Sequence, residues 1–267
     1  MRQFAYPFPA QVICELIGVP AEDAHHIVDH APALAGGLDP GPLLTKEARD
    51  AANVAIVAVV DYLSDFIDRR RRSPGDDLLS ALLERQDGDA LSADELVDTI
   101  LLLLIAGHET TANLIGNGLV ALLDQPGAFA ELRADRQLDR AAVDELLRFD
   151  SPVQMTMRIA TDGARIEGVP VATGSVVIAV TGAANRDPSV FDHPDRLDWH
   201  RADNPHLAFG GGLHYCLGAA LARAEARIAL RTIIDRLPGL CIAGTPVRRP
   251  SFTIRALSAL PLRWETH

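Results

Sequence analysis

The chain has 267 residues, 48% hydrophobic and 23% charged, with a net charge of −11 at neutral pH. That composition is globular and excludes a disordered, collagen-like or disulfide-scaffold chain. Its acidity also works against a phosphate-backbone partner.

The apolar residues Val12, Ile13, Leu16 and Ile17 have helical spacing and run into a Gly18-Val-Pro stop. Pro20-Ala-Glu-Asp-Ala opens a second helix with acids in its first turn. A Gly/Pro-rich break at 36–42 leads to a long helical segment over about 45–72, whose four closing arginines suit a solvated helix C-terminus. A helix over 76–86 and a turn at Asp87-Gly88-Asp89 follow. Ser92-Ala-Asp-Glu95 has capping-box spacing and starts a strongly apolar, buried helix running toward Leu123. Another helix covers about 138–149 and stops at Ser151-Pro152.

After Pro152 the pattern changes. The stretches 158–161, 164–166, 169–171 and 175–180 are short and β-branched, separated by glycines, and predict a small sheet. Residues 188–205 are irregular. A last helix spans about 217–237, with Leu221, Ala224, Ile228 and Ile234 expected on its buried face. Phe252-Thr-Ile254 and Leu260-Pro-Leu262 predict a terminal hairpin. The expected architecture is mainly α with a small β portion (α+β), as one domain over 1–267: a helical part to about 150, then sheet, connector and last helix.

Cys14, Cys216 and Cys241 form neither a disulfide framework nor a zinc pair, so a reducing compartment is expected. No charged-then-apolar leader opens the sequence, and the apolar runs at 51–60 and 100–107 fall short of the ~20 residues of a membrane span. A cytoplasmic chain with no membrane and no nucleic-acid partner is the expectation.

Four places combine unusual residues with unusual spacing. In Phe209-Gly-Gly-Gly-Leu-His-Tyr-Cys216-Leu-Gly218, glycines let the backbone approach a flat ligand, and Cys216 stands at the threshold of a helix that stabilises a thiolate. The plainer alternative is a glycine-rich turn with a small core cysteine. Ala106-Gly-His-Glu-Thr-Thr111 sets an acid and two hydroxyls in an apolar helix, where Gly107 costs ~1 kcal/mol of helix stability. His108-Glu109 is not a zinc-protease motif, because Ala112 stands where the second histidine belongs. Glu145 and Arg148 lie at i, i+3, a spacing that on its own marks only an ordinary helix pair. Asn185-Arg-Asp-Pro188 and His193-Pro-Asp-Arg196 read as a connector. His26 and His30 are taken as surface residues for want of a third ligand.

Taken together and in this order, these motifs resemble the cytochrome P-450 haem-thiolate monooxygenases of the soluble bacterial type. The resemblance implies haem b (iron protoporphyrin IX) on Cys216, which would be the metal ligand. His214 and Arg158 would take its propionates, with Phe209 beside the thiolate and Ala208, Gly210 and Gly218 completing the cysteine-side cradle. Ala106, Gly107 and Thr110 would border the opposite face, and Glu109 with Thr110 would relay protons. Glu145, Arg148 and Arg196 would form a structural network. Leu103, Val153, Gln154, Met155, Phe252, Thr253 and Ile254 would line a pocket for an apolar small molecule. Electrons would come from a ferredoxin-type donor with its reductase, docking near the helix bearing Arg223 and Arg231. The resemblance begins partway into the family pattern, lacking ~100–150 residues, about a domain's worth. The alternative is therefore a truncated, catalytically silent haem-binding or interaction fragment.

Overall fold

In the computed structural model, which describes residues 1–86 and 91–265, helix α1 (Pro7–Ile17) buries Ile13, Cys14 and Ile17. It ends at Gly18, whose φ of 92° is a left-handed conformation that favours glycine. Helices α2 (His25–Val28) and α3 (Ala31–Gly36) lead to α4 (Lys46–Arg72), which opens where the Thr45 hydroxyl accepts the Ala48 N–H at 3.2 Å. Two of its closing arginines tie it to neighbouring elements, and a third, Arg71, pairs with Asp68 on the same helix. Arg69 pairs with Asp23, while Arg70 donates to the Gly18 carbonyl and pairs with Asp77 at 3.1 Å. The end of α4 is thereby tied to the end of α1 and to the entry of α5 (Leu78–Gln86). The expected turn at Asp87-Gly88-Asp89 lies outside the described residues.

The Ser92–Glu95 capping box is present, and α6 (Ala93–Asp124) follows it. The expectation of no membrane-length apolar segment does not hold for α6, which by length and composition could cross a membrane. More than half of its most apolar window is buried inside the protein, as in a core helix. Helices α7 (Ala128–Ala134), α8 (Asp139–Phe149), α9 (Thr181–Ala184) and α10 (Ala219–Arg236) complete the helical set. The first half of α6 packs Leu96, Ile100 and Leu104 among α1, α4 and α5. Its second half packs Leu114, Ile115, Leu119 and Leu122 among α7, α8 and α10. One helix thus serves both clusters.

The strands are short: β1 (Thr156–Ile159), β2 (Arg165–Ile166), β3 (Val169–Pro170) and β4 (Val176–Ala179), with β1 antiparallel to β4 and β2 to β3. Further on, β5 (Cys241–Ile242) pairs with β8 (Leu262–Arg263), and β6 (Val247–Arg248) with β7 (Leu257–Ala259). The expected terminal hairpin does not form. Residues 257–263 find their partners upstream in β5 and β6, and Ile254 bridges Val153 instead.

The buried face of α10 also differs from the expected one. It carries Glu225, Ala226, Ala229, Leu230, Ile233 and Ile234, whereas Ile228 is exposed. Glu225 is only 4% exposed, and its Oε2 has no partner among the described residues. Burial pushes its carboxyl up to about 7. The folded protein therefore holds this proton more tightly than the unfolded chain does. The group's contribution is present below the ordinary glutamate range and is lost as pH rises through about 7. Glu225→Gln is expected to match the parent in urea unfolding near pH 4 and to exceed it by about 3 kcal/mol above pH 8. Equal stability at both pH values would refute this.

Candidate functional site

The 209–218 loop owes its path to two glycines in the left-handed region, Gly210 (φ 69°) and Gly212 (φ 64°). The Cys216 N–H donates to the Phe209 carbonyl at 2.9 Å, and the Tyr215 N–H to the Gly212 carbonyl at 3.1 Å. The half-buried Cys216 thiol consequently lies just before Gly218, the N-cap of α10. Cβ atoms added at Gly211, Gly212 or Gly218 would meet nothing within 4 Å, so the backbone there presents a bare surface.

Arg223, on the helix near which an electron donor is expected to dock, braces this loop. Its Nε donates to Asp144 of α8 at 2.7 Å and an Nη to the Tyr215 hydroxyl at 3.3 Å, while its guanidinium lies 4.5 Å from the Phe209 ring centroid. Burial alone would raise the Asp144 carboxyl, but hydrogen bonds from His206 and Arg223 outweigh it and hold the group below its ordinary value. Arg231 is likewise engaged, donating to the Leu132 carbonyl and pairing with Asp139 at 3.3 Å. Arg227 between them is exposed.

The Glu145–Arg148 pair is no ordinary surface pair, since both side chains are fully buried. Arg148 uses all five of its N–H donors. Two go to Glu145, at 2.7 and 2.8 Å, and the others to the carbonyls of Asn185, Pro194 and Arg196 at 2.9–3.0 Å. Glu145 in turn accepts from the Asp198 N–H, Arg201 and Asn204. The arginine that completes the network is therefore Arg201, not Arg196. Arg196 contributes only its carbonyl and exposes its side chain. The one local feature that could have pointed to Arg201 is the buried aromatic Trp199, two residues before it. The Asn185 side-chain oxygen accepts the Leu207 N–H at 2.7 Å, which carries the network to the start of the cysteine loop.

On α6, Leu102 and Ala106 are exposed and Leu103 and Thr110 half-buried, four residues sharing one face. The Thr110 hydroxyl donates to the Ala106 carbonyl at 2.6 Å, which loosens the turn and leaves its lone pairs outward. Gly107 has a second role: a Cβ there would meet Ile13 of α1 at 3.0 Å, so the glycine permits close helix packing. Glu109, expected to relay protons with Thr110, is engaged by several partners. Its buried carboxylate pairs with Arg249 and accepts from Asn113 at 2.8 Å and Tyr6 at 3.4 Å. His108 Nε2 donates to the Tyr6 carbonyl, and burial lowers its pKa to about 4, which keeps the ring neutral.

Arg158 on β1 donates only to the Met157 carbonyl, and His214 is exposed; neither pairs with a carboxylate among the described residues. Among the expected pocket residues, Val153 and Ile254 bridge each other, and the Gln154 N–H donates to the Thr253 carbonyl at 2.9 Å. Phe252 is exposed, and Met155 is half-buried. The Gln154 side-chain amide donates to the Ser151 carbonyl, beside Gly182. The combination fits a flat, apolar, dianionic iron macrocycle. It offers one soft sulfur ligand at a helix N-terminus, a bare peptide surface, an accessible apolar helix face, and two uncommitted donors suited to carboxylates.

Comparison with known proteins agrees with this reading. The family model "Cytochrome P450" matches residues 38–254. The biotin biosynthesis cytochrome P450 of Bacillus subtilis (strain 168) is 43% identical over 99% of this chain and 67% of its own length. The vitamin D(3) 25-hydroxylase of Pseudonocardia autotrophica is 44% identical over 98% of this chain and 64% of its own. Among solved structures, P450BioI in complex with an acyl carrier protein bearing hexadec-9Z-enoic acid superposes with a TM-score of 0.93 at 42% identity. That match covers 99% of this chain and 68% of that one. The chain thus spans about two thirds of the length of these relatives.

Proposed function

Because the chain belongs to the cytochrome P450 family, we propose that it holds haem b on Cys216 and inserts one oxygen atom of O2 into an apolar organic molecule. The observation that carries this is the braced 209–218 loop, which holds one thiol at the mouth of α10. Bound there, the haem would supply O2 activation, promoted by electron donation from a thiolate ligand.

The chain's own residues supply position and protons. His214 and Arg158, free of carboxylate partners among the described residues, would take the propionates. Phe209, wedged under Arg223, fixes the backbone on either side of Cys216, with Ala208 preceding it. Ala106 and Thr110 would border the opposite face, with Gly107 beside them. As it stands, the Thr110 hydroxyl can only accept from a bound water, and delivering a proton requires it to turn out of its bond to Ala106. Glu109, whose carboxylate pairs with Arg249, would relay protons with Thr110 only by leaving that pairing. Leu103, Val153, Met155, Phe252, Thr253 and Ile254 would face an apolar substrate.

Electrons would come from a ferredoxin-type donor with its reductase, for which Arg227 and Arg236 are exposed cations on α10. A cytoplasmic setting suits the three free thiols. We read 1–267 as one unit, supported by α6 running through both hydrophobic clusters.

The test is spectroscopic. Chain loaded with hemin and reduced under carbon monoxide is expected to give the thiolate-type Soret shift. With a ferredoxin system and labelled O2 it is expected to place one labelled oxygen in the product. A chain that takes up hemin but shows no such shift is the silent fragment instead.

A further inference from the structure

An apolar cavity of about 420 Å³ opens beside the C-terminal end of α10, a volume within the range of small-molecule sites. At the 1.5 Å rise of an α-helix, Arg236 lies about 26 Å along α10 from Ala219, so this cavity stands apart from the Cys216 loop. One wall comes from the opening segment. The Phe4 and Tyr6 N–H groups donate to the Met1 carbonyl at 3.3 and 3.2 Å, and the Met1 side chain rests against α6. Gly116 makes room for it, since a Cβ there would meet Met1 Sδ at 2.9 Å. Ile115 and Leu119 of α6, Ile233 of α10 and Leu262 of β8 continue the apolar lining. Trp264 also lines the cavity while staying 45% exposed, which places it at the mouth.

The charge of the lining is one-sided. In a chain of net charge −11, the only charged side chain lining this cavity is a cation, Arg236. Among the described residues its guanidinium has neither an ion pair nor a hydrogen bond. Thr232, one turn earlier on the same helix face, likewise has a hydroxyl without a partner among them. The acids nearest in sequence are engaged elsewhere: Asp235 pairs with Arg136 at 2.7 Å and Arg231 at 3.4 Å, and the Glu265 side chain packs over Gly239. We propose that this cavity is a second small-molecule site, which takes a medium-chain monocarboxylate with its tail between α6 and α10 and its head on Arg236 and Thr232. A guanidinium fork matches the two carboxylate oxygens, and the hydroxyl adds a third donor. Removing the tail from water supplies the affinity, and the head fixes which end faces out. A cationic guest would meet no carboxylate there among the described residues.

The test titrates hemin-loaded chain with sodium decanoate below its micelle concentration. Trp264 emission reports this cavity and the Soret band reports the haem face, so the two sites are read separately. The other tryptophan, Trp199, is buried elsewhere in the fold. Decanoate is expected to change the emission saturably, and Trp264→Phe to remove that signal. Affinity should fall about fourfold for each methylene taken from decanoate toward hexanoate. Arg236→Glu should weaken decanoate about tenfold or more and leave decanol unchanged, while Arg236→Lys keeps most of the affinity. Thr232→Phe, which fills the cavity, should abolish the emission change and leave the Soret response as in the parent. Should Thr232→Phe not fold, the two Arg236 variants carry the test, because that side chain is exposed. Equal affinity of the parent and Arg236→Glu overturns the proposal, as does an emission change that survives Thr232→Phe. Emission that follows protein concentration rather than decanoate puts a second copy in the cavity and overturns it too.

Discussion

Glu145→Ala is expected to abolish cooperative folding or to lower stability by about 3–5 kcal/mol, a large share of the roughly 5–15 kcal/mol of an ordinary domain. The reason lies in what remains behind. Arg148 would keep its charge at zero exposure with only carbonyl partners, and Asp198, Arg201 and Asn204 would lose their shared acceptor. Arg148→Ala should cost about as much, because it leaves the buried Glu145 with Arg201 as its one cation among the described residues and strands the Asn185 and Pro194 carbonyls. The two outer arginines discriminate between readings of the network. Arg201→Ala should cost about 1–2 kcal/mol, since its nearly buried side chain touches Glu145 and three carbonyls. Arg196→Ala should be near neutral, because only its carbonyl takes part. Urea unfolding of the four variants checks the order. If Arg196→Ala proved as costly as Arg201→Ala, the network would be drawn wrongly.

That same cluster shows where sequence reading reaches and where it stops. The helices were legible because their signals are local: a capping box at Ser92, a threonine cap at Thr45, a glycine stop at Gly18. The Cys216 loop was legible for a similar reason, since its glycines and cysteine are contiguous and their spacing is itself the geometry. What failed was everything decided by distant partners. An i, i+3 Glu–Arg pair looks the same on a wet surface as at zero exposure, and only the carbonyls of 185–196 folded over it make the difference. Whether Arg196 or Arg201 reaches Glu145 depends on the path of an irregular segment with no periodicity to read.

The strands erred in the same way. Residues 252–254 and 260–262 have strand-like composition, yet their partners are 153 and 241–242. On α10, choosing one apolar stripe over its neighbour exposed Ile228 and missed the buried Glu225, because alanines fill much of the true contact face. Arg249 carried no signal at all. It lies at a short strand end and acts on a residue more than a hundred positions away.

Cys216→Ala is expected to remove the thiolate-type Soret shift completely, while Cys14→Ala and Cys241→Ala leave it intact. The three thiols differ in surroundings rather than in kind. Cys14 is buried in the cluster around α1, and burial pushes its thiol up to about 11, so it stays protonated and serves as packing. Its replacement should cost about 1 kcal/mol of stability and nothing spectroscopic. Cys241 sits at a strand edge with an Arg263 Nη at 3.6 Å, beside the β5–β8 pair and outside any helix terminus. Only Cys216 combines a helix N-terminus, a backbone locked by its own N–H bond to Phe209, and bare glycine surface on either side. Loading each variant with hemin and recording the reduced carbon monoxide spectrum decides the matter. A Cys216→Ala chain that kept the shift would move the iron ligand elsewhere and leave the braced loop without a function. A Cys14→Ala chain that lost the shift but unfolded like the parent would show that thiolate ligation depends on the α1 cluster rather than on the loop.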